Sequence, residues 1–226
     1  MTSGDRSLLS VREVSVIFWR KHGPVRALAE VSLEIKPGEF VALVGSSGSG
    51  KSLLARVAAG ELAPSAGNVL FDGLDIYERR RDFRAQIRTC RLAFMPQLPD
   101  FCHRGDLLAH VLKGLPSRMH VVARERAERL LEELGLGPKV HLEPRELSAG
   151  ELQRLALVRA LAPKPELAIL DNPTAQLDDH YASKVAEILK DFHLRGGAVL
   201  LVSNDQRLRK MAGRIYRLEN GVMSPI

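Results

Sequence analysis

Apolar and polar residues alternate over residues 8–18 and again over 31–35, the period of strands with one buried face. Pro37-Gly38 marks a turn. Phe40–Val44 is different: five consecutive apolar residues, short and partly β-branched, as expected of a strand buried on both faces. From Lys51 to about Gly60, Leu54, Val57 and Ala58 recur at helical spacing, and Pro64 closes that region. Val69-Leu-Phe-Asp-Gly reads as a strand running into an Asp-Gly turn, and Cys90–Met95 as an apolar strand stopped by Pro96.

The period then changes. From about residue 100 to 160 the pattern is helical, with no convincing strand. Ala127, Leu130, Leu131 and Leu134 share one face, Glu125/Arg129 and Arg129/Glu133 pair on another, and Gly135 ends the helix. Leu167–Leu170 returns to a buried strand ending at Asp171. Asp178–Leu194 is a helix whose stripe of Tyr181, Val185, Ile188, Leu189 and Phe192 is a core face. Gly196-Gly197 breaks it before the strand Ala198–Val202. Strands alternating with helices imply a parallel sheet with right-handed crossovers.

Composition adds limits. A chain of 226 residues, 45% hydrophobic and 27% charged, is long enough for one α/β domain with a small helical lobe. No apolar run approaches the roughly 20 residues of a membrane helix, and the opening Met1–Arg6 has no apolar signal-peptide core, so the expected location is cytosolic. Cys90 and Cys102 lack metal-ligand spacing and read as unpaired thiols. The net charge of +6 is densest at Arg79, Arg80 and Arg81, continuing through Arg84, Arg88 and Arg91. No aromatic residue interleaves with these cations, which argues against stacking on single-stranded nucleic acid. The cluster reads as a solvated face, or as a surface near lipid headgroups.

The candidate chemistry begins at Gly45-Ser-Ser-Gly-Ser-Gly-Lys51-Ser52, a complete phosphate-binding loop placed between a buried strand and a helix. Gly45, Gly48 and Gly50 let backbone N–H groups turn inward as an anion nest at a helix start. Lys51 supplies a charge to the β- and γ-phosphates, and Ser52 a hydroxyl to Mg²⁺. The loop alone leaves kinases, GTPases and other ATPases open.

Leu147-Ser148-Ala149-Gly150-Glu151, continued by Leu152-Gln153-Arg154, narrows the choice. Ser148 and Glu151 form a capping box, so a helix starts there with Leu152, Leu155, Ala156 and Val158 on its apolar face and Pro163 beyond its end. The segment resembles the signature motif of ATP-binding cassette proteins, usually Leu-Ser-Gly-Gly-Gln. Further pieces follow in family order: Gln97 resembles the Q-loop glutamine, Leu167–Asp171 the Walker B strand, and Ala175–Asp178 the D-loop. The resemblance covers nearly the whole chain and is greatest to the compact cassettes of lipoprotein-release and macrolide-exporter systems. It implies an α/β fold: a P-loop NTPase core of mainly parallel sheet, an N-terminal antiparallel β subdomain, and an inserted helical lobe. Residues 1–226 then form one ATP-binding domain, with core segments 1–96 and 161–226 and a signature lobe at about 97–160.

The same resemblance implies ATP and Mg²⁺ as cofactors. ATP would contact Gly45, Ser46, Ser47, Gly48, Ser49, Gly50, Lys51, Ser52 and Leu53. Phe18, beside Trp19, lies where the family stacks an aromatic ring on adenine, and an aromatic at that place serves equally as core. Mg²⁺ would be held by Ser52, Gln97 and Asp171. Ser148, Ala149, Gly150 and Glu151 would cap ATP held by a second cassette, packed head to tail as homodimer or heterodimer. Integral membrane permease subunits are the other expected partners, reached through the groove from Gln97 to about Leu115, which places the chain on the cytoplasmic face of the membrane. No nucleic acid partner is expected. The competing class is a cassette ATPase without a membrane partner, acting on nucleic acid, the ribosome or a soluble enzyme complex.

Two positions depart from the family pattern. The glutamate that polarises the attacking water is replaced by Asn172, and the switch histidine by Asn204. An amide accepts no proton, and lost general-base help costs about 10²–10⁴ in rate. Binding groups survive while hydrolysis groups do not, so the chain is expected to bind ATP and hydrolyse it slowly or not at all, as the degenerate half of a heterodimer or as a long-lived ATP-locked clamp.

Overall fold

The computed structural model describes residues 7–78, 81–101 and 104–226, without the side chains of 81–83. Met1–Arg6, Arg79, Arg80, the Arg81 side chain and Cys102 therefore lie outside the described residues.

The chain starts with a long antiparallel pair, β1 (Leu9–Arg20) and β2 (Gly23–Ile35), followed by the central strand β3 (Phe40–Val44) and helix α1 (Lys51–Ala58). Next come β4 (Ala66–Phe71), the short β5 (Leu74–Asp75), α2 (Arg81–Cys90) and β6 (Leu92–Met95). Three helices fill the middle of the chain: α3 (Leu107–Leu112), α4 (Ser117–Glu133) and α5 (Ala149–Leu161). The remainder is β7 (Leu167–Asp171), α6 (Asp179–Leu194), β8 (Ala198–Val202), α7 (Gln206–Arg209), β9 (Arg214–Glu219) and β10 (Val222–Pro225).

Two sheets result. One is antiparallel, in the order β2-β1-β4-β5. The other has the order β10-β9-β3-β8-β7-β6, parallel throughout except for the β10/β9 hairpin. This is the expected α/β architecture, with a mainly parallel sheet and an antiparallel β subdomain. β3, β7 and β8 are buried along their whole length. Their alternate side chains feed two cores. Phe40, Ala42, Leu170 and Leu201 face a core shared with α3, α4, α5 and α6. Val41, Leu43, Ile169 and Leu200 face one shared with α1 and the antiparallel sheet. A sheet covered on both sides needs continuous apolar strands, which is why these segments carry no period-2 signal.

Several expectations shift. Cys90 belongs to the end of α2, not to a strand: the sheet begins only at Leu92. The β2 strand starts at Gly23, well before the alternating 31–35 stretch, because its first half lies at a sheet edge and buries little. The arginines of α2 and after it are not merely solvated. Arg84 lies over the Tyr77 ring, Arg88 donates to the Gly60 carbonyl, and Arg91 forms ion pairs with Asp72 at 3.0 Å and with Glu166. Arg91 thus ties the turn after β4 to the start of β7. Cys90 is a free thiol, as expected.

Close contact between β4 and β1 depends on Gly67, which has φ +84° and lies against the Arg12 and Glu13 carbonyls. An added Cβ would stand 2.4 Å from the Arg12 oxygen. The expected result for Gly67→Ala is a stability loss of about 2 kcal/mol, from combined strain and overpacking. Urea unfolding of the variant beside the native chain measures it.

Candidate functional site

The C-terminal ends of β3, β7, β8 and β6 gather the candidate residues on one edge of the parallel sheet. The phosphate-binding loop leaves β3 at Gly45, whose φ is +150° and whose added Cβ would stand 2.2 Å from the Leu218 carbonyl oxygen. No side chain fits there, so the loop passes close under the start of the β9/β10 turn. Gly50, at φ +105°, opens α1 with no side-chain cap, leaving the helix start to whatever the loop encloses.

Lys51 folds back over this loop. Its Nζ donates to the Gly45 carbonyl at 2.9 Å, the Ser46 carbonyl at 2.6 Å and Ser49 Oγ at 3.2 Å. Burial lowers its pKa, and the nearby Asp171 carboxylate partly offsets that. Asp171 ends β7 almost fully buried, 2% exposed. Burial raises its pKa, while a hydrogen bond from the Ser52 hydroxyl and the charge of Lys51 oppose the rise. A hydroxyl and a carboxylate in contact are hard oxygen donors, which suit Mg²⁺, and the neighbouring ammonium suits a polyphosphate. The donor set fits the pair of cofactors.

The second helix start lies at α5. Ser148 and Glu151 make the expected capping box: Ser148 N and Oγ both donate to Glu151 Oε2 at 2.9 Å, and Glu151 N donates back to Ser148 Oγ at 3.4 Å. Gly150 lies against the chain that follows β7, where an added Cβ would stand 2.8 Å from the Gln176 carbonyl oxygen.

The sequence profile of the ABC transporter family matches residues 28–175, well over half of the chain. The chain belongs to the ABC transporter family. It is 36% identical over 222 residues to the lipoprotein-releasing system ATP-binding protein LolD of Pseudomonas syringae, with 96% of this chain and 97% of that protein covered. It is 31% identical over 220 residues to the macrolide export ATP-binding/permease protein MacB of Aggregatibacter actinomycetemcomitans, a match that takes 95% of this chain and 34% of MacB. A dimeric structure of the ATP-binding cassette MJ0796, in a post-hydrolysis state bound to ADP and Pi, superposes with a TM-score of 0.86 at 27% identity, over 96% of this chain and 98% of that one.

Within this cassette, the two departing residues lie beside the binding groups. Asn172 follows Asp171 with φ +50°, a backbone that asparagine tolerates better than most residues. Its N–H donates to the Val202 carbonyl at 2.7 Å, its own carbonyl accepts from Gln153 Nε2 at 2.9 Å, and its side-chain amide turns to Asp171 at 3.3 Å. Asn204, beyond β8, donates from its amide to the Gly45 carbonyl at 3.5 Å. Lys51, Ser52, Asp171, Asn172, Asn204 and Gly45 therefore form one cluster. Gln97 is exposed, two residues beyond β6, and Met95 pairs with Leu170 next to Asp171. Phe18 is 39% exposed and so not a core residue. It pairs with Val25 on β2, close to Ala27, whose carbonyl lies against Gly50. Ser148, Ala149, Gly150 and Glu151 stand on a separate helix start, and their described hydrogen bonds do not reach the phosphate loop.

Gln153 and Arg154, which continue the signature segment, are 1% and 7% exposed on a helix expected to bury only its apolar stripe; their burial was not foreseen. Gln153 reaches the carbonyl of Asn172. Arg154 donates to the Leu134 and Gly150 carbonyls and stacks over the Tyr181 ring at 3.7 Å. Helical periodicity cannot flag polar residues that enter a core to hold a neighbouring backbone. Arg154 did carry one cue, its i,i+3 spacing from Glu151.

Asp171 yields a prediction with a definite sign. Its folded pKa lies above the ordinary 3.8, so the ionised carboxylate opposes folding at neutral pH, and the opposition fades as the pH falls through the folded value. Asp171→Asn should raise the melting temperature of the ligand-free chain at pH 7, and the gain should shrink on acidification toward pH 3.8. Thermal scans of both chains across pH test this.

Proposed function

We propose that this chain is a cassette subunit that binds ATP–Mg²⁺, pairs head to tail with a second cassette, and is impaired in hydrolysis at its own site. Gly45–Leu53 would wrap the phosphates, with Lys51 as the moving cation. Ser52, Asp171 and Gln97 would hold Mg²⁺, and Phe18 would face the base. Mg²⁺, when bound, supplies charge neutralisation across the β- and γ-phosphate oxygens. Residues 1–226 act as one domain in this reading, with the 97–160 lobe carrying the signature loop.

The observation that carries the reading is the pairing of Asn172 with Asp171. Phosphoryl transfer to water needs an oriented water and a group that accepts its proton. The side chain next to Asp171 is an amide that donates toward the carboxylate, and Asn204 brings a second amide to the loop carbonyl. Neither titrates. Both orient groups and neither removes a proton, so closure around ATP would be favoured over turnover. Such a subunit serves as the binding half of an asymmetric pair, lending its signature loop to a competent partner.

No helix among the described residues is long and apolar enough to cross a membrane. The similarity to LolD and to the cassette part of MacB supports work beside integral membrane subunits, on the cytoplasmic face of the membrane. The membrane partner would meet the segment from Gln97 to about Leu115, where Leu98 is 78% exposed.

The test is single-turnover hydrolysis of tightly bound ATP by the purified chain, with Lys51→Ala as the binding-deficient control. The expected result is ATP binding with turnover at least about 10²-fold below an ordinary transporter rate of ~1 s⁻¹, and recovery in the Asn172→Glu/Asn204→His double variant. Native turnover near 1 s⁻¹ would assign the proton to another acceptor and remove the impaired-site reading.

A further inference from the structure

The signature loop carries a carboxylate beside the serine that would meet a partner's phosphate. Glu151 Oε2 accepts from Ser148 N and Ser148 Oγ at 2.9 Å, so the serine hydroxyl proton is directed at Glu151. The other oxygen, Oε1, accepts from Lys139 Nζ at 2.6 Å. The glutamate side chain is 13% exposed and the lysine side chain 43%. The lysine hydrogen bond is the largest of the influences that hold the Glu151 pKa down to about 2, so the group is fully ionised at neutral pH. An anion arriving at Ser148 would meet this negative charge at short range, where repulsion outweighs a helix start's partial positive charge unless a cation compensates. Arg154 forms a longer ion pair with the same glutamate at 3.9 Å, but it donates no hydrogen bond to it and spends its donors on two backbone carbonyls, so Lys139 is the nearer and directly bonded cation.

Lys139 has the right address. It ends the short turn Gly137–Lys139, which is fixed to the end of α4 by the bond from Leu136 N to the Leu131 carbonyl at 2.7 Å. The lobe's helix end therefore delivers an ammonium group to the start of α5. One of its N–H donors goes to Glu151, and its partial exposure leaves the charge facing outward.

We propose that Lys139 is a positioning residue of the signature half-site: it neutralises Glu151, holds that carboxylate by its far oxygen, and so keeps Ser148 and the α5 start receptive to the γ-phosphate of ATP bound by a second cassette. This rests on the head-to-tail reading above. It makes the Lys139–Glu151 pair, not Glu151 alone, the acceptor unit of the loop.

The test is ATP-driven self-association of the full chain with Mg²⁺, followed by sedimentation, for the native protein, Lys139→Met, Lys139→Arg, Glu151→Gln and Lys139→Met/Glu151→Gln. Lys139→Met leaves the carboxylate with only the longer Arg154 ion pair, and association should weaken about tenfold or more. Adding Glu151→Gln removes the charge and should restore association to within about threefold of native, and Lys139→Arg should stay near native. A lysine that merely staples the turn to the helix gives a different result: the double variant would be as weak as Lys139→Met, which overturns the proposal. Lys139→Met associating like the native chain overturns it equally. The native chain remaining monomeric in ATP–Mg²⁺ would instead remove the head-to-tail self-pairing reading itself, an outcome visible in the native control before any variant is compared.

Discussion

Backbone pairing in the middle of the parallel sheet is the constraint on which the rest depends. β3, β8 and β7 are buried on both faces, so their amides find partners only in neighbouring strands: β8 lies between the other two, with β9 beyond β3 and β6 beyond β7. That demand fixes register: Leu43 pairs with Val202, and Val202 with Asp171. Once the register is set, Gly45, Asp171 and the chain after Val202 leave the sheet at the same level. The phosphate loop, the carboxylate and Asn204 are thereby brought together from segments far apart in sequence. A slip of one residue in β7 would turn Asp171 to the opposite face, and a slip in β3 or β8 would shift Gly45 or Asn204 away from it; each disperses the cluster.

Charge is handled differently at the two helix starts. At α1 the loop carries its own cation, and Lys51 donates to two of the loop's backbone carbonyls. That arrangement holds an ammonium in a partly dry setting on neutral acceptors, which are weaker than charged ones. At α5 the local charge is negative and balanced from outside the helix by Lys139. One helix start has its cation in its own loop, and the other takes one from a different segment of the chain.

Much of this architecture was legible in the sequence because long-range burial leaves local traces. The apolar runs at Phe40–Val44 and Ala198–Val202 mark doubly covered strands, and the glycines of the phosphate loop mark backbone that no side chain tolerates. The capping box at Ser148 and Glu151 is a local rule and was readable as such. Less legible were the features set by pairing across the chain. The exposed first half of β2 has no face to bury, and the arginines of α2 and Arg91 after it read as a charged surface until Tyr77, Gly60 and Glu166 are seen as their partners. The signature segment includes Gln153, but its contact is not legible there because its acceptor, the Asn172 carbonyl, belongs to another element. The meaning of Phe18 also required three dimensions: its exposure removed the core alternative that the strand pattern left open.

The stacking of Arg154 on Tyr181 has a mechanical consequence. The guanidinium is rooted in α5, grips the end of α4 through the Leu134 carbonyl, and lies over a ring that belongs to α6. A cation over a ring face is attracted to it, so one side chain ties three helices together. Gln153 and Gly150, on the same helix, meet the backbone of the segment after Asp171 at Asn172 and Gln176. A load on α4 or α6 is therefore passed through one guanidinium to α5, and from α5 to the backbone beside the carboxylate, as through a single rivet.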